Sequence, residues 1–309
     1  MMDRYSIDWR GYMPAITTPF DSDGALDRGM LIELLEWLHE QAMHGIVVAG
    51  TTGEWYALSA EERATLFMTA GEVLKGKMTL IAGCNAFTPD GVVDSAELAA
   101  RTGFDGILLC PPPYVRPSED EIFAFYAEVN RRCPLPICVY NWPPGTNVDM
   151  SIRLLERLTD LDRVVAVKNS TGSFRHFIDS FFALKDKVRM FGVPMNQIGA
   201  TLVQHHGADG LMGAGAVLGR DQPDFFNALW AGRTEEALAL GAKDRRIMTE
   251  WFNEDYTARF GTAPAVFKAA LNVQGLPGGY PRKPILPLDE RHLDTIRSTL
   301  RALGKTVTA

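Results

Sequence analysis

The chain repeats one local pattern, a short apolar run followed by a longer amphipathic stretch. The runs are continuous rather than alternating, which is typical of parallel strands that are buried on both faces. They recur about every 20–35 residues, the spacing of strand–helix units. Eight such runs lie in the 309 residues, centred on Ala15–Thr17, Ile46–Val48, Thr79–Ala82, Gly106–Leu109, Ile137–Tyr140, Val164–Val167, Arg189–Phe191 and Gly210–Met212.

The stretches between the runs carry helix signals. Within residues 30–44, four leucines at positions i, i+3, i+4 and i+7 form one apolar stripe. A serine followed three residues later by glutamate is a capping-box pattern, and it occurs at Ser59 and again at Ser118. Ser151 opens a further helical stretch.

Eight strand–helix units in series predict an α/β fold, a (β/α)8 TIM barrel. We place the barrel in residues 1–220. Residues 221–309 are predicted to form a C-terminal helical appendage that packs on the barrel as part of one structural unit. A doubly wound sheet is the alternative, but its first strand is normally followed by a glycine-rich turn, and none follows Ile16–Thr17.

Composition argues against several classes of protein. The formal net charge of -7 does not fit a uniformly basic surface for nucleic acid. No apolar run approaches the roughly 18 residues of a membrane span, and the charged N-terminus does not resemble a secretory signal. We therefore predict a cytoplasmic protein. The four cysteines form no C-x-x-C pair, which indicates buried, reduced thiols; no metal or cofactor is predicted.

The clearest chemical signal is a lysine at the end of the sixth apolar run. Lys168 directly follows Val164–Val167, and the catalytic groups of a barrel come from the C-terminal ends of its strands. Burial lowers the pKa of an ammonium group and leaves more neutral amine at pH 7. A neutral amine can attack a ketone and form a Schiff base. The alternative is a lysine held in a salt bridge at the barrel rim.

Other strand ends carry further candidates. Tyr140 ends the fifth run and could relay a proton, or it could simply close the core. The segment Gly50–Glu54 offers amides and hydroxyls that could hold a carboxylate, or it could form only a tight turn. Within it, Glu54 is expected to be a structural hydrogen-bond partner. Tyr114, in the proline-rich loop after the fourth run, is either a site residue or an aromatic lid.

The segment Gly50–Glu54, the turn Tyr140–Pro143 and Lys168, in this order and spacing, resemble the dihydrodipicolinate synthase / N-acetylneuraminate lyase family of pyruvate-dependent class I aldolases. The resemblance runs from Pro14 to Pro287. It implies a (β/α)8 barrel with three C-terminal helices and a homotetramer built as a dimer of dimers.

The resemblance also implies roles for individual residues. Lys168 would form a Schiff base with pyruvate or a related 2-keto acid, and Tyr140 would shuttle the proton. Tyr114 would enter the site of a neighbouring subunit and complete a proton relay through a threonine of the Gly50–Glu54 segment. The resulting catalytic set is Lys168, Tyr140, Thr52 and Tyr114. The substrate-binding set is Gly50, Thr51, Thr52, Gly192 and Met212.

The sequence departs from this family at two places. Where the synthases carry an arginine that binds the carboxylate of the aldehyde substrate, this chain has Gly145. Where the neuraminate lyases carry acidic residues that bind sugar hydroxyls, it has the mainly apolar segment Gly192–Asn196. The second substrate is therefore expected to be less polar or less anionic than those of the best-known members.

The predicted function is a Schiff-base lyase or aldolase acting on a small 2-keto acid, with no nucleic-acid or membrane partner. Two alternatives stay open. The same Schiff base could dehydrate a 2-keto-3-deoxy sugar acid. The chain could also be a non-catalytic keto-acid-binding protein on the same scaffold.

Overall fold

The computed structural model describes residues 2–308 and contains one eight-stranded parallel sheet. The strands are β1 Gly11–Tyr12, β2 Gly45–Val48, β3 Thr79–Gly83, β4 Gly106–Leu109, β5 Ile137–Asn141, β6 Val164–Asn169, β7 Arg189–Phe191 and β8 Gly210–Leu211. Strands β2 to β8 lie side by side in chain order, and β1 pairs with β8. The sheet thus curls into the predicted barrel, and the doubly wound alternative is wrong.

Helices follow the strands around the outside of the barrel. They are α1 Arg28–Glu40, α2 Ala60–Leu74, α3 Pro89–Thr102, α4 Glu119–Arg132, α5 Pro143–Thr146, α6 Ile152–Thr159, α7 Phe174–Leu184, α8 Gln197–His206, α9 Asp221–Trp230, α10 Thr234–Trp251, α11 Ala263–Asn272 and α12 Glu290–Ala302, with a 3-10 helix at Trp55–Ala57. Both predicted capping boxes are present, since Ser59 and Ser118 accept from the backbone N–H three residues later.

The first strand lies earlier than predicted. The regular strand is Gly11–Tyr12, whereas the apolar run pointed to Ala15–Thr17. Pro14 has no N–H to donate towards β2, whereas the N–H groups of Met13 and Ala15 on either side of it donate to the Leu211 and Gly213 carbonyls at 3.0 and 2.9 Å. Beyond it, Ala15 forms single bridges to Val47 on one side and Ala214 on the other. These bridges connect the two edges of the sheet and close the barrel.

Successive residues of β2 to β5 alternate between two apolar clusters, whereas in β6 the consecutive residues Val165 and Ala166 belong to the same one. One cluster lies between the strands and the surrounding helices and includes the leucine stripe of α1. The other fills the barrel interior and includes Val47, Ile81, Leu108 and Phe191. Because the interior is filled by side chains, ligand space is left only at an end of the barrel.

The C-terminal part of the chain consists of helices α9 to α12. Helix α9 begins at Asp221, directly after the β8 loop, and contacts β1, α8 and α10. The division at residue 220 remains a prediction, because a barrel needs a helix after its eighth strand and α9 lies in that place. Among residues 2–308, no helix combines the length and the apolar character that a membrane crossing requires.

Candidate active site

A cavity of about 310 Å³ opens where the C-terminal ends of the strands meet. It is lined by residues from seven of the eight strands or the loops that follow them. Seven of the eight predicted site residues line it, namely Gly50, Thr51, Thr52, Tyr140, Lys168, Gly192 and Met212. The eighth, Tyr114, lies outside its wall.

Lys168 is buried at this end of the barrel, with 7% of its surface exposed. It sits on β6 opposite Tyr140 of β5, because the two residues are register partners. Burial lowers the pKa of the Lys168 ammonium group from 10.5 to about 8, and the nearby Cys138 thiol only partly opposes this. Within the described residues, no carboxylate acts on that pKa, so the rim salt bridge is not found.

Tyr140 provides the neighbouring proton donor. The Nζ atom of Lys168 lies 4.3 Å from the centre of the Tyr140 ring. Burial is the main cause that raises the pKa of Tyr140, and hydrogen bonding with Thr51 and Ser170 lowers it only in part. The phenol therefore stays protonated through the range in which Lys168 titrates, and it can give and retake a proton without being ionised at rest.

The segment Gly50–Glu54 forms the side of the cavity next to Tyr140. Thr52 is buried, whereas Thr51 is half-buried, and both line the cavity. The Thr18 hydroxyl donates to the Gly53 carbonyl at 2.8 Å and fixes the turn. Two hydroxyls on a fixed turn beside a buried amine suit a small carboxylate.

Glu54 anchors this segment to the C-terminal helices. Its carboxylate is fully buried and pairs with the ammonium group of Lys268 on α11, which is 1% exposed. Its second oxygen accepts from the backbone N–H of Arg282 at 3.0 Å. The expectation of a structural hydrogen-bond partner is confirmed. Sequence reasoning missed Lys268, because no local pattern links positions 54 and 268.

Removing one member of this buried pair should destabilise the fold. In Glu54→Ala the Lys268 ammonium group stays buried without its partner, and we expect a loss of about 3–5 kcal/mol in the free energy of unfolding, measured by urea denaturation. As a control, Arg131→Ala breaks the exposed pair with Glu128 and should shift the curve little. An equal shift in both variants would contradict the anchoring role.

Gly192 is needed where β7 turns into the next loop. Its φ of +123° lies in a region that side chains disfavour, and an added Cβ would lie 2.4 Å from the Asn169 carbonyl oxygen. The bare backbone lets the chain pass close to the end of β6. Met212, 2% exposed, completes the cavity floor after β8.

Tyr114 projects from the loop between β4 and α4. It is 90% exposed, and its backbone has a left-handed φ of 79°. No contact within one subunit holds its phenol near Lys168 in the described structure, where Tyr114 is absent from the cavity wall. Its predicted role thus depends on a neighbouring subunit and stays a prediction.

Amide side chains just beyond Tyr140 and Lys168 fix the two strand ends, and sequence reasoning missed them. Asn141 Nδ2 donates to Asn169 Oδ1 at 3.0 Å and to Asp149 Oδ1 at 2.8 Å. Asn169 in turn donates to the Ser180 hydroxyl at 2.8 Å. The available signal was an asparagine directly after each candidate residue at the end of an apolar run.

The two tryptophans that flank the site differ in their placement. Trp142 lines the cavity, whereas Trp55 lies outside its wall and contacts Tyr56 and Phe87. All four cysteines are buried free thiols. Among residues 2–308 no cluster of three His, Cys, Asp or Glu side chains could hold a metal ion.

Comparison with known proteins agrees with this geometry. The profile of the Dihydrodipicolinate synthetase family matches residues 8–303. The chain belongs to this family. A 4-hydroxy-tetrahydrodipicolinate synthase from Oceanobacillus iheyensis is 29% identical over 93% of this chain and 95% of the relative. An uncharacterized DapA-like lyase from Rhizobium meliloti is 30% identical over 96% of both chains.

A solved structure extends the likeness. The dihydrodipicolinate synthase of Acinetobacter baumannii, solved with pyruvate, has a TM-score of 0.83 at 26% identity and covers 96% of this chain and 99% of its own. The family membership and the barrel with C-terminal helices, both expected from the resemblance, are confirmed. The family match and the similar proteins together identify the chain as a carbon–carbon lyase of the class I aldolase type.

Proposed function

We propose that this protein makes or breaks a carbon–carbon bond next to pyruvate or a related 2-keto acid, through a Schiff base on Lys168. One observation carries the proposal: a buried lysine with a lowered pKa shares a small cavity with a phenol and two threonine hydroxyls. The pyruvate bound to the Acinetobacter baumannii synthase supports the choice of keto acid.

The reaction would begin when the neutral amine of Lys168 attacks the ketone carbon. The carbinolamine loses its hydroxyl as water and gives a protonated imine, which is an electron sink. Loss of a proton from the neighbouring methyl carbon then leaves an enamine, whose carbon attacks an aldehyde. In the cleavage direction, breaking the carbon–carbon bond releases the aldehyde and leaves the same enamine on Lys168, and protonation and hydrolysis then free the pyruvate. Tyr140 would carry protons between these groups, and the Gly50–Glu54 segment would hold the carboxylate.

The pH dependence of adduct formation should follow Lys168. The reactive form is the neutral amine, so the rate falls as pH drops through the lysine pKa of about 8. At pH 7 about a tenth of the amine is neutral. We expect the rate of adduct formation with pyruvate to rise about tenfold per pH unit below 8 and to level above it. A rate that still rises steeply to pH 10 would contradict this.

Product analysis separates the two Schiff-base reactions. A 4-hydroxy-2-keto acid incubated with the enzyme should release pyruvate and an aldehyde in equal amounts. Loss of water from a 2-keto-3-deoxy sugar acid without release of pyruvate would favour the dehydratase. Turnover in either direction removes the alternative of a non-catalytic keto-acid-binding protein.

We also propose a cytoplasmic homotetramer, a dimer of dimers. The exposure of Tyr114 supports it, because a phenol 90% exposed in one subunit is free to enter the site of another. The mass of the protein in solution, measured by light scattering, tests the assembly.

A further inference from the structure

We infer that the second substrate is an uncharged aldehyde with an apolar or aryl substituent, which lies against the indole of Trp142. The inference rests on the proposed function and concerns the part of the cavity beyond Lys168. In the condensation, the enamine carbon bonds to the aldehyde carbon, and the aldehyde oxygen takes up a proton to become a hydroxyl. Water then releases the product from Lys168, and cleavage runs the same steps in reverse.

Trp142 occupies the space where a side chain at position 145 would rise. A Cβ added at Gly145 would lie 2.3 Å from the Cε3 and Cζ3 atoms of the indole, so an arginine there would displace it. The indole lies parallel to the Tyr140 ring, with an angle of 2° between planes and 6.3 Å between centres. Where the synthases have a guanidinium group that binds a carboxylate, this chain therefore presents the flat aromatic face of Trp142.

The loop after β7 adds apolar surface on the next side. Pro194 and Met195 line the cavity there. Asn196 is the polar group of this loop, but its side-chain oxygen accepts from the backbone N–H groups of Ile198 and Gly199 at 2.9 and 3.1 Å. Because it caps helix α8, that oxygen is engaged and offers little to a polyol.

The wall of the cavity on the side away from the strand ends is formed by the C-terminal helices α10 and α11. Ile247 and Met248 of α10 line the cavity, and Phe252 stacks on Phe267 of α11 with 5.2 Å between ring centres. Both phenylalanines are nearly buried, at 2% and 4% exposed. Much of the wall beyond Lys168 therefore consists of aliphatic and aromatic side chains, which favour an apolar substituent.

The charges on this wall oppose an anionic substrate. Asp244 of α10 lines the cavity and accepts from Gln222 Nε2 at 2.8 Å. Burial raises the pKa of Asp244 to about 6, so it is still mainly ionised at pH 7. The neighbouring Arg245 also lines the cavity, but it is exposed to solvent, which screens its charge. A carboxylate on the aldehyde would meet one half-buried anion and only a screened cation.

Two aldehydes of equal shape and different charge test the inference. The wild-type enzyme is assayed with pyruvate and either 4-methylbenzaldehyde or 4-carboxybenzaldehyde, and adduct formation with pyruvate alone is measured separately. We expect kcat/KM at least tenfold higher for the methyl compound. A preference for the carboxylate, or turnover of neither aldehyde while pyruvate still forms its adduct, overturns the inference alone. Failure to form the adduct overturns the proposed function itself.

Two variants test whether Trp142 is responsible for the preference for the uncharged aldehyde. Trp142→Ala should lower kcat/KM for 4-methylbenzaldehyde at least about tenfold, whereas Trp142→Phe, which keeps an aromatic ring, should retain most of it. If Trp142→Ala slows adduct formation with pyruvate alone by the same factor, its role is structural and the inference fails. It also fails if 4-carboxybenzaldehyde is preferred and Arg245→Gln abolishes that preference, since Arg245 would then be the carboxylate site.

Discussion

The Lys168→Ala variant should lose turnover by at least about 10⁴-fold while keeping its fold, because Lys168 is the only lysine that lines the cavity among residues 2–308. Removing a buried amine with a lowered pKa takes away a group that the cavity disfavours in its charged form, so stability should not fall. The measurement is release of pyruvate from a 4-hydroxy-2-keto acid, with circular dichroism to follow the fold.

Lys168→Arg separates charge from nucleophilicity. The guanidinium keeps a positive charge at the same strand end, but it stays protonated and cannot attack a ketone. It should therefore be as inactive as the alanine variant. Full activity in Lys168→Arg would exclude the Schiff base, whatever the alanine variant shows.

Tyr140→Phe is expected to slow turnover by about 10²–10⁴-fold, the usual contribution of general acid–base catalysis. The phenylalanine keeps the ring that lies 4.3 Å from the lysine nitrogen, so the packing against Lys168 is preserved. Only the hydroxyl that exchanges protons is lost. The loss should lie in kcat rather than in the KM for pyruvate.

Tyr126 provides the matched control. Its phenol is fully buried on α4, donates to the Leu109 carbonyl at 2.5 Å and does not line the cavity. Tyr126→Phe should lower stability slightly and leave kcat unchanged. If the two phenylalanine variants lose activity to the same extent, Tyr140 acts through packing and not as a proton carrier.

Most of the fold could be predicted from the sequence because parallel strands and helices differ in local pattern. Buried strands are continuous apolar runs, and capping residues such as Ser59 and Ser118 mark helix starts. The first strand was predicted a few residues too late because its regular part, Gly11–Tyr12, is only two residues long and has no apolar run of its own. The run that follows it contributes only single bridges at Ala15.

The site was predictable where it depends on strand ends. Tyr140 and Lys168 were found because each ends an apolar run, and a barrel brings such ends to one mouth. Residues that reach the site from elsewhere were missed. Lys268 contacts Glu54, and Asp244 lines the cavity, only because of how α10 and α11 pack on the barrel, which no local pattern encodes.

Reduction with sodium borohydride in the presence of pyruvate tests the central proposal most directly. Borohydride converts the imine into a stable secondary amine, so peptide mass mapping should find a carboxyethyl group on Lys168 and little on other lysines. Lys268, also buried but paired with Glu54, provides an internal comparison. An unmodified Lys168 under conditions that label a known pyruvate-dependent aldolase would contradict the account.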